Sequence, residues 1–311
     1  SKLLSKESNK GDVFFSNSGA ESIEAALKIA RNFGSDKNKD EIIAMTSSFH
    51  GRTIGALSLG SNKQYKSNIG PVPGKVKFCQ FNDSKNLTKL INKKTLAIII
   101  EFIQGDGGIN ICSKEFAKTI KEICKKKNIL LIADEIQGGI GRTGKIFAYK
   151  HYGVSPDIIT TAKGLGSGIP IGATIVKKDI AKKINIGFHG STFGGGMLQT
   201  RVAYNVFQTI NKTNFLNSVK LKGILLEQLL NKLHSNHDFI KEIRIKGLMA
   251  GIEFQNSQLA LKIYEETSKD GLVTTLVKGT TIRITPPLII KADELKRGIK
   301  IISDCLNKIK N

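Results

Sequence analysis

The fold is decided by the run Ile129-Leu130-Leu131-Ile132-Ala133-Asp134, in which five apolar residues end in a carboxylate. A second run of this kind, Ile158 to Thr161, is followed by Lys163 and a glycine-rich loop. Short runs rich in β-branched residues predict buried strands. An amine held at a strand end, with room to swing, suits imine formation. Taken alone, however, Lys163 is equally a surface lysine, and Asp134 an ion-paired or helix-capping acid.

Strand-like and helix-like segments alternate along most of the chain. This alternation predicts an α/β fold with a mostly parallel sheet covered by helices on both faces. Ligands of such sheets gather at the carboxyl ends of the strands, which here carry Glu101, Asp134 and Lys163. The predicted strands are Ile42–Met45, Leu96–Ile100, Ile129–Ala133, Ile158–Thr161 and Ile171–Val176, and the predicted helices are Glu21–Asn32, Ser84–Asn92 and Ser113–Lys127.

The pattern changes after about residue 215. There the sequence predicts a smaller α+β domain, so we expect a large domain over residues 1–215 and a small C-terminal domain over residues 216–311. Its predicted elements are a helix at Val219–Leu233, strands at Ile240–Ile245, Leu248–Phe254 and Thr281–Thr285, an intervening helix, and a last helix from Ala292.

Composition narrows the class of protein. The 311 residues carry a formal net charge of +22, which would ordinarily suggest a nucleic-acid partner. The basic residues are mostly lysines spread along the chain without an arginine cluster, which favours a solvated surface. The four cysteines form no CxxC pair, and His234 and His237 lack a third ligand, so we expect no metal site. Without a signal-like start or an apolar run of about 20 residues, a soluble, cytoplasmic protein is expected.

Two further segments could bind an anion. Ser18-Gly19-Ala20 leads from a strand-like piece into a helix, where free backbone amides can receive a phosphate. The segment from Gly190 to Gly196 is a glycine-rich loop with two hydroxyl side chains. Each alone is also an ordinary helix cap or turn.

Together these pieces resemble the class III pyridoxal-phosphate-dependent aminotransferases of fold type I, and within them the acetylornithine and succinylornithine aminotransferase branch. The resemblance covers almost the whole chain in the right order. It is carried by SGAE at Ser18–Glu21, FHGRT at Phe49–Thr53, IQGDGG at Ile103–Gly108, DEIQ at Asp134–Gln137, GRTGKIFA at Gly141–Ala148, TTAKGLG at Thr160–Gly166, HGSTFGG at His189–Gly195 and RITPPL at Arg283–Leu288.

The resemblance implies pyridoxal 5'-phosphate as cofactor. Lys163 would form the imine with it, Asp134 would pair with its ring nitrogen, and Gln137 would bind its ring oxygen. Phe49 would stack on the ring, and Gly19 with Ala20 would hold the phosphate. The implied cofactor pocket further contains Ser18, His50, Glu135, Ile136 and, from the second subunit of a homodimer with shared active sites, Thr192.

The resemblance also implies the substrate residues. Arg52 would clamp a substrate carboxylate with Ser191 nearby, and Arg283 would receive the α-carboxylate of glutamate. Asp106 would mask Arg283 when the other substrate is bound, and Glu101 would help to position substrate. The implied reaction is transfer of the terminal amine of N-acetylornithine to 2-oxoglutarate in arginine biosynthesis.

Several positions depart from the family pattern. Ala20 stands where threonine is common, and Asp106 where glutamate is usual. The family also carries several dozen residues upstream of the segment that matches Ser1. The alternatives left open are a 4-aminobutyrate, ornithine or other ω-amine aminotransferase, and a truncated protein of the same fold without catalysis.

Overall fold

The structure, a computed structural model, describes residues 1–310, with side chains up to residue 309. Its strands are β1 (Asp12–Ser16), β2 (Glu41–Met45), β3 (Lys75–Cys79), β4 (Thr95–Ile100), β5 (Ile103–Gln104), β6 (Asn110–Ile111), β7 (Leu130–Asp134), β8 (Ile158–Thr161), β9 (Gly172–Val176), β10 (Ile240–Ile245), β11 (Ala250–Phe254), β12 (Thr275–Val277) and β13 (Thr281–Ile284). Its helices are α1 (Lys2–Glu7), α2 (Gly19–Ser35), α3 (Ile54–Ser58), α4 (Ser84–Leu90), α5 (Lys114–Lys127), α6 (Lys178–Ala181), α7 (Met197–Ile210), α8 (Thr213–Asn236), α9 (Ser257–Lys269) and α10 (Ala292–Lys310).

A seven-stranded sheet forms the centre of the larger part of the chain. Its strand order is β1-β9-β8-β7-β4-β2-β3, and the neighbours β8, β7, β4, β2 and β3 pair in parallel. Only β9 runs against its two neighbours. Every residue of β4 and of β7 is buried, as expected for strands covered on both faces. The predicted α/β fold, with a mostly parallel sheet covered by helices, is confirmed.

Two hydrophobic cores lie on opposite faces of this sheet. Successive residues of a strand point to opposite faces, so Leu131 packs into one core and Ile132 into the other. Helix α5 covers the first face with Phe116 and Ile120, and helix α2 covers the second with residues that include Ile23. Both helices begin at a serine whose side chain accepts a backbone amide, as N-capping requires.

A second, antiparallel sheet has the strand order β10-β11-β13-β12. Helices α8, α9 and α10 pack on it around a third core that includes Leu226, Phe254, Ile263 and Ile302. This sheet, α9 and α10 lie within residues 216–311, the region expected to form the small domain, whereas α8 begins three residues before it, at Thr213. The boundary at residue 215 itself stays a prediction.

The sequence missed several elements. Strand β3 was not predicted because its residues Lys75 and Lys77 are charged, which is tolerable only because β3 is an edge strand. The strand that was predicted to begin at Leu248 begins at Ala250.

Within residues 1–310, no helix is long and apolar enough to cross a membrane. The four cysteines are buried and free.

Candidate active site

The carboxyl ends of three neighbouring parallel strands bring the predicted residues together. Glu101 follows β4, Asp134 ends β7, and Lys163 follows β8. Two cavities of about 760 and 480 Å³ meet at this edge and share Phe49, Ile136 and Lys163 in their walls. They therefore form one cleft, with Lys163 at its middle.

Lys163 lies in a conformation that is unusual for a residue with a side chain. Its φ of +41° is in the left-handed region, where a Cβ crowds the backbone. The residue is exposed and begins a single 3-10 turn directly after Ala162. Backbone strain of this kind persists where the surrounding structure enforces it, and it concentrates at functional sites. Here it turns the amine out of the sheet into the cleft.

Asp134 is buried with only 4% exposure, and both of its oxygens are engaged. Oδ2 lies 2.6 Å from Nδ1 of His50, and Oδ1 accepts the backbone amide of Ile136 at 3.0 Å. Burial would lower the pKa of His50, but the hydrogen bond and the charge of Asp134 outweigh it, so the pKa is raised above its ordinary value. The contact with Asp134 therefore favours the protonated form of the His50 imidazole. Nε2 of His50 is buried without a hydrogen-bond partner.

Two buried glutamates stand behind the cleft and do not line either cavity. Glu101 accepts the backbone amide of Phe49 at 2.9 Å, and Glu135 accepts those of Ala148 and Tyr149 at 2.7 and 2.8 Å. Burial raises the pKa of each carboxyl to about 8. Both side chains hold loops in place, and their predicted substrate and cofactor contacts stay predictions.

The smaller cavity ends at the N-terminus of α2. Ser18 caps the helix by accepting the amide of Glu21 at 3.2 Å, and the first-turn amides of Gly19 and Ala20 have no partner within the helix by geometry. A Cβ on Gly19 would lie 3.0 Å from Ile136, so glycine keeps this end of the cleft open. The helix dipole and the two amides favour a phosphate here.

Phe49 lines both cavities, and Arg52 lies beside it. The guanidinium carbon of Arg52 is 5.6 Å from the Phe49 ring centre and 4.0 Å from that of Tyr65. These rings orient the guanidinium through cation–π contacts. Tyr65 lies on a 3-10 turn outside the family motifs, so no sequence pattern pointed to it.

The larger cavity contains Asp106 and Arg283, which were predicted to handle the acceptor, together with Gln137, which was predicted to bind the cofactor ring oxygen. Nε2 of Gln137 donates to Oδ2 of Asp106 at 2.8 Å, while Nη1 of Arg283 is 3.4 Å from Oδ1 of Asp106. The Asp106–Arg283 pair is long and partly exposed, so its contribution is small and it can exchange. Arg142, which belongs to the family motif Gly141–Ala148 but was not predicted as a site residue, also lines this cavity. It donates to the carbonyl of Leu248 at 3.1 Å.

Ser191 and Thr192 do not line either cavity. Both are exposed, and Oγ of Ser191 accepts from Nδ2 of Asn17 at 3.2 Å. Asn17 itself lines the smaller cavity, so Ser191 lies at its outer rim. Two roles stay predictions: that Ser191 lies near the substrate, and that Thr192 contributes to the cofactor pocket of a neighbouring subunit.

The residues of the cleft fit pyridoxal 5'-phosphate. Asp134 lines neither cavity itself but bonds His50 and Ile136, which line the smaller one, and its buried carboxylate suits the ring nitrogen. The exposed amine of Lys163 suits the carbonyl carbon, and the glycine-opened helix terminus suits the phosphate. Gln137 and the face of Phe49 line the space between them. Fold and site together define a pyridoxal-phosphate-dependent transferase of fold type I.

The chain belongs to the class-III aminotransferases, whose family profile matches residues 1–306. It is 41% identical to an acetylornithine aminotransferase from Caldanaerobacter subterraneus over 99% of this chain and 79% of the relative. Among solved structures it is similar to the ornithine aminotransferase from Toxoplasma gondii, with a TM-score of 0.93, 29% identity, and coverage of 99% and 76% of the two chains. A transaminase from the marine bacterium Virgibacillus superposes with a TM-score of 0.94 at 26% identity over 99% and 78%. The protein is therefore an aminotransferase that uses pyridoxal 5'-phosphate.

Proposed function

We propose that this aminotransferase moves the terminal amine of N-acetylornithine to 2-oxoglutarate, giving N-acetylglutamate semialdehyde and glutamate in cytoplasmic arginine biosynthesis. The observation that carries the proposal is the pair of guanidiniums, Arg52 and Arg283, that line the two cavities meeting at Lys163. Each substrate has a carboxylate at a distance from the reacting carbon, which Arg52 can bind bidentately, and glutamate has a second one on the reacting carbon itself, which Arg283 can bind. The name of the 41% identical relative supports the same donor.

The chain's own residues divide the work. Pyridoxal 5'-phosphate supplies a carbonyl carbon that takes up amines and a ring that withdraws electrons from the reacting carbon. Lys163 Nζ would receive the proton from the substrate carbon and return it, because the left-handed backbone at Lys163 directs the amine into the cleft. Asp134, held by His50, would pair with the ring nitrogen and favour its protonated form. The amides of Gly19 and Ala20 would hold the phosphate, and Phe49 would shield the ring from water.

Arg52 and Arg283 then position the substrates. Arg52 clamps the donor carboxylate with its guanidinium braced on Tyr65. Arg283 receives a carboxylate of glutamate or 2-oxoglutarate when Asp106 moves away, which the long 3.4 Å contact permits. When the donor occupies the cleft, Asp106 returns and neutralises the half-buried guanidinium.

The proposal includes a homodimer in which Thr192 completes the neighbour's phosphate site. The segment around Thr192 exposes large apolar side chains, with Phe193 71%, Met197 91% and Leu198 67% exposed. Several large apolar side chains exposed within one short segment are typical of a protein interface. If the protein forms this homodimer, sedimentation equilibrium should give the mass of a dimer. A Thr192→Ala variant should then lose cofactor affinity without losing the dimer.

The test compares initial rates with N-acetylornithine, ornithine and 4-aminobutyrate, each with 2-oxoglutarate, for purified protein supplied with cofactor. We expect the highest kcat/KM with N-acetylornithine. A preference for ornithine or 4-aminobutyrate would assign the alternative donor. Lys163→Ala is the matched control, since it removes the amine and leaves the cleft. Wild-type protein that shows no cofactor absorption dependent on Lys163 would be the non-catalytic alternative.

A further inference from the structure

Three residues form one cross-strand row in the small antiparallel sheet. Arg244 on β10 is paired with Gly251 on β11, and Gly251 is paired with Arg283 on β13. Directly paired residues of neighbouring strands point to the same face of a sheet. The two arginines therefore stand on one face with a glycine between them.

The segment of residues 105–109, which carries Asp106, lies on this row. Nε of Arg244 donates to the carbonyl oxygen of Gly108 at 2.8 Å. A Cβ on Gly251 would lie 3.0 Å from Ile109 and 3.2 Å from the Gly108 oxygen. Because Gly251 has no side chain, the segment 105–109 can pack directly against β11. The hydrogen bond from Arg244 to the Gly108 carbonyl holds it in this position.

Arg244 is itself rigidly held. Its Nη1 donates to Glu253 at 2.6 Å and also to Glu242, and its side chain is only 13% exposed. Because Arg244 is anchored on β10, it fixes the height of the Gly108 carbonyl above the sheet. Asp106, two residues earlier, has a short side chain whose reach to Arg283 depends on that height.

We propose that Arg244 and Gly251 are positioning residues for the acceptor-carboxylate site: they seat the segment 105–109 so that Asp106 reaches Arg283 and masks it. The proposal deepens the proposed function, because it rests on Arg283 as the dicarboxylate-binding group. When the contact with Arg244 or the packing on Gly251 is lost, the segment shifts and Asp106 moves away from Arg283. The free guanidinium then binds a dicarboxylate more tightly and tolerates the donor less well.

The experiment measures binding of glutarate, an unreactive dicarboxylate, to the cofactor-loaded protein by titration calorimetry. Arg244→Met removes the donor to Gly108, and Gly251→Ala lifts the segment from the other side. Both should tighten glutarate binding by about threefold, the size expected for releasing one partly exposed ion pair. The matched control is Glu266→Gln, which removes an exposed carboxylate on helix α9 that pairs with Lys269, and it should leave the affinity unchanged.

The decisive arm repeats both variants in an Asp106→Ala background, where neither should change glutarate affinity. Unchanged or weaker binding in both single variants, or an equal change without Asp106, overturns the proposal. Thermal unfolding verifies that the variants fold, with Arg244→Lys as a milder substitute. Because glutarate is not turned over, a failure to use N-acetylornithine would refute the proposed donor and leave this result intact.

Discussion

Nδ1 of His50 lies 2.6 Å from Oδ2 of Asp134, and the two side chains are 0% and 2% exposed. Asp134 pairs with β8 through its strand, while His50 follows β2 by five residues, so the contact links two separate strand ends. The charge of Asp134 overcomes the effect of burial and raises the pKa of His50. A buried ion pair of this kind is strongly destabilising to break, because the remaining charge loses its partner.

His50→Gln should therefore lower the free energy of unfolding by about 3 kcal/mol at pH 6. A raised folded-state pKa means that the stabilisation is fully present below the unfolded pKa of histidine and is lost as pH rises through the folded value. The difference in unfolding free energy between His50→Gln and wild type should therefore be smaller at pH 9 than at pH 6. Urea denaturation at the two pH values measures it, and a difference that grows with pH would contradict the assignment.

Glu101 should make wild-type stability fall as pH rises. Burial raises its pKa to about 8, so the protonated carboxyl favours the folded state below its unfolded pKa, and this stabilisation is lost as pH rises through about 8. Glu101→Gln keeps an acceptor for the Phe49 amide and cannot ionise. Unfolding free energies measured from pH 6 to 9 should decline less steeply for the variant than for wild type. Equal slopes would count against a protonated Glu101.

The left-handed backbone at Lys163 predicts an unusual pair of variants. Lys163→Ala and Lys163→Gly both remove the amine and should both abolish the visible absorption of lysine-bound cofactor. Glycine adopts positive φ freely, so Lys163→Gly should be more stable than Lys163→Ala by about 1 kcal/mol. Thermal unfolding without cofactor compares them. Two equally stable variants would mean that the backbone relaxes at this position.

Arg52→Lys should raise KM for N-acetylornithine about tenfold, because an ammonium cannot replace bidentate recognition of a carboxylate. The variant should leave the absorption of bound cofactor unchanged. Arg31→Lys, an exposed change on helix α2, serves as a control for loss of guanidinium alone. Steady-state kinetics at saturating 2-oxoglutarate give the comparison. If both variants raise KM alike, Arg52 does not bind the donor.

Asp106→Glu lengthens the masking side chain by one methylene and should shorten the 3.4 Å contact with Arg283. A stronger mask competes better with the acceptor, so KM for 2-oxoglutarate should rise about threefold. Asp106→Asn, which has no charge, should lower it. Steady-state kinetics should therefore give a KM for 2-oxoglutarate above that of wild type for Asp106→Glu and below it for Asp106→Asn. A change of KM in the same direction for both variants would refute the masking role.

The sequence was most informative where local pattern and burial agree. The apolar runs of β4, β7 and β8 were recognisable because strands covered on both faces must be almost wholly apolar. Their order in a parallel sheet then placed Glu101, Asp134 and Lys163 at one edge. Strand β3, with its charged residues, and the reversed direction of β9 left no such pattern, because edge position and strand direction depend on neighbours distant in sequence.

By itself, the sequence determined the α/β fold, the edge of the sheet at which the cleft lies, and the residue types that the chemistry requires. These follow from hydrophobic periodicity and from motifs that are local in the chain. Only the tertiary structure decided that His50 pairs with Asp134, that Glu101 and Glu135 brace loops behind the cleft, and that Arg244 and Gly251 seat the Asp106 segment. Those contacts join residues far apart in sequence, and they depend on the geometry that packing imposes between separate strands and loops.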